Sequence, residues 1–131
     1  LQAHLARRGQ AGQVSVVADG VYRVAYPLPA VLPTVEVVVP TRDQHKLLAR
    51  CMEGLLHGTD YPNLRVRVID NDSRDPQMAA LLVQLAGDPR VRVQHEPGAF
   101  NFSRLVNRAA RASHAEVLCL LNDDVLALQP G

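Results

Sequence analysis

The 131 residues make room for one domain of ordinary size, and 47% hydrophobic with 21% charged residues describes a globular chain. A formal net charge of +1 gives no bulk field for nucleic acid or anionic lipid. No apolar run approaches the roughly 20 residues that a membrane helix needs. The chain starts at Leu1 and finishes in LNDDVLALQPG, and both ends read as cut from a longer protein. Cys51 and Cys119 sit among apolar residues, which predicts buried, reduced thiols and a cytoplasmic setting.

In chain order, LQAHLARRGQ predicts a helix stub ended by Gly9 and Gly12. Two β-rich runs then flank Ala18-Asp19-Gly20, a hairpin signal. PLPAVLP carries three prolines in seven residues and reads as a connector. Residues 1–33 are therefore expected to precede a main domain, 34–131. VEVVV (35–39) is a β-branched run of the kind buried on both faces of a sheet. Residues 43–57 predict a helix with Leu47, Leu48, Cys51, Met52, Leu55 and Leu56 on one face. LRVRVID (64–70) predicts a strand and 77–86 a helix. VRVQH (91–95) predicts an alternating strand near a sheet edge. Residues 102–113 predict a helix with Phe102, Leu105, Val106, Ala109 and Ala110 on its apolar face, capped by Asn101. EVLCLL (116–121) predicts a last buried strand.

This βαβαβαβ alternation implies an α/β fold, a mostly parallel Rossmann-like sheet with helices on both faces. In such sheets ligands collect beyond the carboxyl ends of the strands. Those ends are PTRD (40–43), DNDS (70–73), HEPG (95–98) and NDDV (122–125), and three of the four carry carboxylates.

Asp123 and Asp124 are adjacent. Two carboxylates roughly 4 Å apart repel by about 4 kcal/mol at an effective dielectric of 20, less if solvated. A divalent cation with oxygen ligands, Mg²⁺ or Mn²⁺, relieves that repulsion. Successive strand side chains point to opposite faces, so one Asp is expected on the metal and its neighbour on a hydroxyl, a water or an amide. A plain turn with a cap is the alternative. Asp70 either accepts from a base or ribose, with Asn71 beside it, or joins an Asx-turn in which Asp75 caps the next helix before Pro76. Pro40 and Thr41 precede a helix N-terminus that suits an anion or a polar base edge. Arg42 either pairs with phosphate or, as is commoner, is exposed. Asn101 is an N-cap and rim residue, and Arg104 faces a diphosphate or solvent. The five histidines show no metal-ligand spacing, and no G-x-G-x-x-G follows the first strand.

Together VEVVVPTRDQHKLLARCMEGLL, VRVIDNDSRDP, GAFNFSRLVNRAA and EVLCLLNDDV resemble the family-2 glycosyltransferases of GT-A fold, from about Val35 to Val125. FNFSRLVNRAA is similar to the bacterial branch that builds surface polysaccharides, rhamnosyltransferase-like members included, and segment 14–26 looks like the leader found before this domain. The resemblance implies inverting transfer of a sugar from a nucleotide-diphospho-sugar donor to a saccharide or lipid-linked acceptor. It implies that Pro40 and Thr41 line the base pocket and that Asp70 contacts base or ribose, with Asn71 a further candidate beside it. Asn101 and Arg104 serve the same nucleotide-sugar site. Asn122 takes the first place of the family's acidic triplet and Asp124 the last. Asp124 is thus the expected metal ligand with Asp123 in support, and an amide at Asn122 is a departure that weakens the metal site. The family's catalytic base is expected beyond Gly131, so this chain is expected to carry a donor half-site with little turnover. The expected setting is cytoplasmic or membrane-peripheral, with self-association through uncovered surface. The alternatives are a non-catalytic nucleotide-binding or scaffolding domain and a receiver-type signalling domain.

Overall fold

A computed structural model describes residues 1–127. The chain divides into two compact units, the first Leu1–Leu32 and the second starting at Pro33. In the first, helix α1 (Gln2–Arg7) precedes an antiparallel hairpin of β1 (Gln13–Ala18) and β2 (Val21–Ala25). Asp19-Gly20 makes the turn, and Gly20 takes a φ of 73° that other residues rarely adopt. Gln2 pins helix to strand: its Nε2 donates to Gly12 O at 2.9 Å and its Oε1 accepts from Val14 N at 2.9 Å.

The second unit runs β3 (Val35–Thr41), α2 (His45–His57), β4 (Leu64–Asp70), α3 (Pro76–Leu85), β5 (Val91–His95), α4 (Phe102–Ala112) and β6 (Val117–Leu120). Its four strands are all parallel in the order β5-β4-β3-β6. Four parallel strands joined by helical crossovers make the Rossmann-like α/β layout expected from the alternation.

Burial follows strand position. Val37, Val38 and Val39 of the central β3 are buried, as are Val66, Val68 and Ile69 of β4. Each such side chain contributes about 1.5–3 kcal/mol relative to exposure. Leu48, Cys51, Met52, Leu55 and Leu56 of α2, with Met78, Leu82 and Leu85 of α3, pack on one sheet face. Leu105 and Ala109 of α4 pack on Val38 and Ile69 of the other. Below that small apolar contact the second face turns polar. Arg67 of β4 is 4% exposed and pairs with Glu36 of β3, Nη2 to Oε1 at 2.9 Å. Arg67 also donates to Gln94 Oε1, Gln94 to Glu96 Oε1, and Arg108 of α4 meets Glu96 at 2.6 Å.

Several expectations are corrected. Helix α2 starts at His45, not 43, because Asp43 is left-handed (φ 51°) and binds across the loops: its Oδ1 accepts from the N–H groups of Arg74 and Asp75. Strand β6 is exposed along its length, Cys119 included, because it pairs with β3 on one side and with no described strand on the other. Phe102 and Leu47 stand out from their helices' buried faces. Asn101 does cap α4, accepting from Arg104 N at 2.9 Å, and Asp75 caps α3 before Pro76.

Candidate functional site

Parallel register brings the strand ends level. Thr41 lies opposite Asp70, and Asp70 opposite His95. At the other side of β3, Leu121 N donates to Val38 O, and the chain then turns through 122–125, closed by Val125 N to Asn122 O at 3.3 Å. The acidic residues leave the strand at that turn, so adjacent carboxylates need not stay on opposite faces of a pleat. Thr41 Oγ1 donates to Asp123 Oδ2 at 2.6 Å, fastening the turn to β3. Asp124 is exposed, and its carboxylate has no hydrogen bond or ion pair among the described residues.

Pro40, Thr41, Asn122, Asp123 and Asp124 line one cavity of about 250 Å³. Phe100 and Phe102 form its other wall, with Arg42 and Gln44. The turn's charge is felt below it. Cys51, whose Sγ lies 3.8 Å from Asn122 O, is pushed up to about 11, first by burial and then by Asp123 and Asp124.

Asp70 is on the same rim but lines a neighbouring cavity of about 500 Å³ with Ser73, His95 and Glu96. Two strand spacings, roughly 10 Å, separate β4 from β6. Asp70 is 5% exposed; its Oδ2 accepts from His95 Nδ1 at 3.0 Å and its Oδ1 from Ser73 N at 3.2 Å. Asn71 is 0% exposed. Its Nδ2 donates to Glu96 O at 2.7 Å and Gly98 O at 3.1 Å, so it holds the 96–98 loop, and its Oδ1 has no partner among the described residues. Arg104 reaches back to Ala99 O at 2.9 Å and bounds neither cavity. Gly98 (φ 107°) lets the loop turn beneath that guanidinium.

The rim thus joins Pro40, Thr41 and the acidic turn, sets Asp70 one cavity away, and makes Asn71, Asn101 and Arg104 the frame of the loop between. Sequence reasoning missed Phe100, Phe102 and Gln44 as rim residues. Phe102 was legible as apolar but was assigned to the core by helical spacing. His95 was legible at the rim from its place at a strand end, but no role was read for it; it lines the Asp70 cavity and bonds that carboxylate.

The donor set is all oxygen: one free carboxylate at Asp124, one unengaged oxygen at Asp123 and the Asn122 amide. That suits a hard cation which keeps water and phosphate ligands. No group of three or more His, Cys, Asp or Glu able to hold a metal occurs among the described residues. A cation here would need phosphate or water to complete its shell.

Comparison with known proteins extends these observations. The family model described as Glycosyl transferase family 2 matches residues 36–129. The chain is 36% identical over 131 residues to the O-antigen biosynthesis protein RfbC of Myxococcus xanthus, covering all of this chain and 10% of that protein. Among solved structures it is similar to the mannosyltransferase PcManGT of Pyrobaculum calidifontis in complex with GDP-Man and Mn²⁺. There the TM-score is 0.66 and the identity 26%, over 76% of this chain and 30% of that one. S. aureus TarS 1-349 shares the fold at TM-score 0.62 and 21% identity, over 71% of this chain and 28% of that one.

Proposed function

Because this chain belongs to glycosyltransferase family 2, we propose that its acidic cavity receives the diphosphate end of a nucleotide-diphospho-sugar donor. The Thr41–Asp123 hydrogen bond carries this reading, because it holds the acidic turn against the strand end where a donor would lie. Pro40 and Thr41 frame the base pocket. Asp70, already oriented by His95 and Ser73 N, accepts from the base or ribose. Asn71 acts by holding the 96–98 loop. Asn101 fixes the start of α4, Arg104 braces the loop before it through Ala99 O, and Asn122 takes a ribose hydroxyl.

Asp124, with Asp123 in support, would hold a Mn²⁺ or Mg²⁺ ion, a reading supported by the Mn²⁺ of the similar mannosyltransferase. When bound, the ion supplies positive charge toward the departing diphosphate. The chain's own part is to position: Thr41 fixes Asp123, and the Phe100–Phe102 wall excludes water from one side of the cavity. We assign no catalytic base among residues 1–127, and expect the chain alone to bind donor with little or no transfer.

The whole protein is proposed to invert the anomeric centre and to act on a saccharide or lipid-linked acceptor in surface-polysaccharide synthesis, in keeping with the name of the Myxococcus relative. No described helix is long and apolar enough to cross a membrane. We propose a cytoplasmic site of action, at the membrane where the acceptor is lipid-linked, and self-association through the edge of β6 that no described strand pairs. Family membership sets aside the receiver-type reading. A non-catalytic donor-binding or scaffolding role is the second reading, and Asn122 in place of a carboxylate favours it.

Titration of GDP, UDP and dTDP with and without Mn²⁺ tests the assignment. Asp124→Ala is expected to remove the Mn²⁺ dependence, and Asp70→Ala to weaken nucleotide without metal. Unchanged binding in both variants would overturn the site. Binding to none of the nucleotides would favour the scaffold.

A further inference from the structure

At the opposite rim, where β3, β4 and β5 begin, lies a cavity of about 720 Å³ lined by Arg65, Arg67, Arg90, Arg92 and His114. The four guanidiniums are unequally answered. Arg67 is buried against Glu36, the one carboxylate in the lining, and also donates to Gln94 and to Ala112 O. Arg90 is paired with Asp88 at 2.8 Å and donates to Leu56 O. Arg65 and Arg92 are exposed, with no hydrogen bond or ion pair among the described residues.

Strand register explains why they converge. Arg92 pairs with Arg67, and Arg65 precedes Arg67 by two residues, so the three guanidinium stems share one sheet face. Like charges facing each other on adjacent strands destabilise a sheet. Glu36 answers only Arg67, which leaves two uncompensated guanidiniums over a polar cavity.

We propose that this cavity binds a phosphate-bearing ligand, gripped by Arg65 and Arg92. Planar guanidiniums match phosphate oxygens in bidentate fashion, and a phosphate takes two such forks at once. The floor is prepared for it, since Arg67 is fixed by three separate partners and adds field without having to move. The site is independent of the acidic cavity, which lies at the far ends of the same seven-residue strands, roughly 20 Å away. The phosphate has two sources of one chemistry, a lipid headgroup or a soluble phosphate compound.

The test uses this chain in EDTA, so that metal-dependent donor binding is silent. Inorganic pyrophosphate is titrated by calorimetry at physiological salt. In parallel, the chain is sedimented with phosphatidylcholine vesicles, with and without phosphatidylglycerol. Arg65→Gln and Arg92→Gln are each expected to weaken pyrophosphate binding about tenfold, as loss of a charged hydrogen bond does. Asp124→Ala is expected to leave it unchanged. Sedimentation that requires phosphatidylglycerol and is lost in the doubly substituted chain supports a headgroup as the source; pyrophosphate binding without sedimentation supports a soluble one. Both side chains are exposed, so the variants should keep the wild-type denaturation midpoint. Arg65→Lys, which retains charge without the fork, is expected to bind at intermediate strength and serves if a glutamine variant unfolds. Absence of both pyrophosphate and vesicle binding would sink the proposal. So would binding that ignores Arg65 and Arg92, or that falls with Asp124→Ala.

Discussion

Thr41 Oγ1 and Asp123 Oδ2 stand 2.6 Å apart, a hydrogen bond that closes 82 residues of chain onto one strand end. A hydroxyl donating to a carboxylate at that length is in the strong, charge-assisted range. Thr41→Val keeps the shape and removes the donor. The expected outcome is a loss of about 1–2 kcal/mol in stability and of about tenfold in Mn²⁺-dependent nucleotide affinity, with metal-free affinity nearly unchanged. Calorimetric titration with and without Mn²⁺ reads the split. An equal drop in both would assign Thr41 to the base pocket alone.

Asn71 offers a sharper test of structure. Its amide donates to two carbonyls from a fully buried position. Asn71→Asp is isosteric but turns a double donor into an acceptor facing Glu96 O and Gly98 O. Burying that mismatch is expected to cost about 2–4 kcal/mol in urea unfolding. A loss below about 1 kcal/mol would mean that the 96–98 loop moves freely to accommodate it.

Much of this architecture was readable because period and punctuation agreed. VEVVV predicted a strand buried on both faces, and β3 is central, though it runs on through Pro40 and Thr41, which read as its stop. Asn101 and Asp75 were legible as caps because a short acceptor before a helix has one strong use. The misreadings have physical causes. EVLCLL reads as buried from composition, yet burial depends on what packs over a strand, which the strand's own residues do not encode. Asp43 looked helical until a contact to the next loop claimed its carboxylate. The Arg67–Glu36 pair was invisible because polar residues alternating in a strand read as solvent-facing, while here they meet beneath α4. At the site, strand-end carboxylates were found by position. Phe100 was not, because its residue type does not announce a rim.

The two cysteines should differ in reactivity. Cys51 is buried and its thiol is pushed up to about 11, so little thiolate forms near neutrality. Cys119 is exposed on β6. At about pH 8 a thiol-specific disulfide reagent should modify one thiol per native chain, with the second reacting only in denaturant. Cys119→Ser should abolish the native reaction. Rapid modification of both thiols would mean that α2 and the acidic turn separate readily.

Arg90 holds the Asp88 carboxyl down to about 2, first through side-chain hydrogen bonds at 3.1 and 2.8 Å and then through its backbone N–H at 2.9 Å. The unfolded carboxyl titrates near 3.9. A folded value below the unfolded one stabilises the fold above about pH 4, and that contribution disappears as pH falls toward 2. The pair is partly exposed, which limits its worth to about 1 kcal/mol. Arg90 also donates to Leu56 O, so the same ion pair steadies the C-terminal turn of α2. Asp88→Asn is therefore expected to be about 1 kcal/mol less stable at neutral pH and to converge on the wild type by about pH 2. Denaturant midpoints across that window measure the difference. Parallel curves for the two proteins would show that Arg90 holds α2 without help from the Asp88 charge.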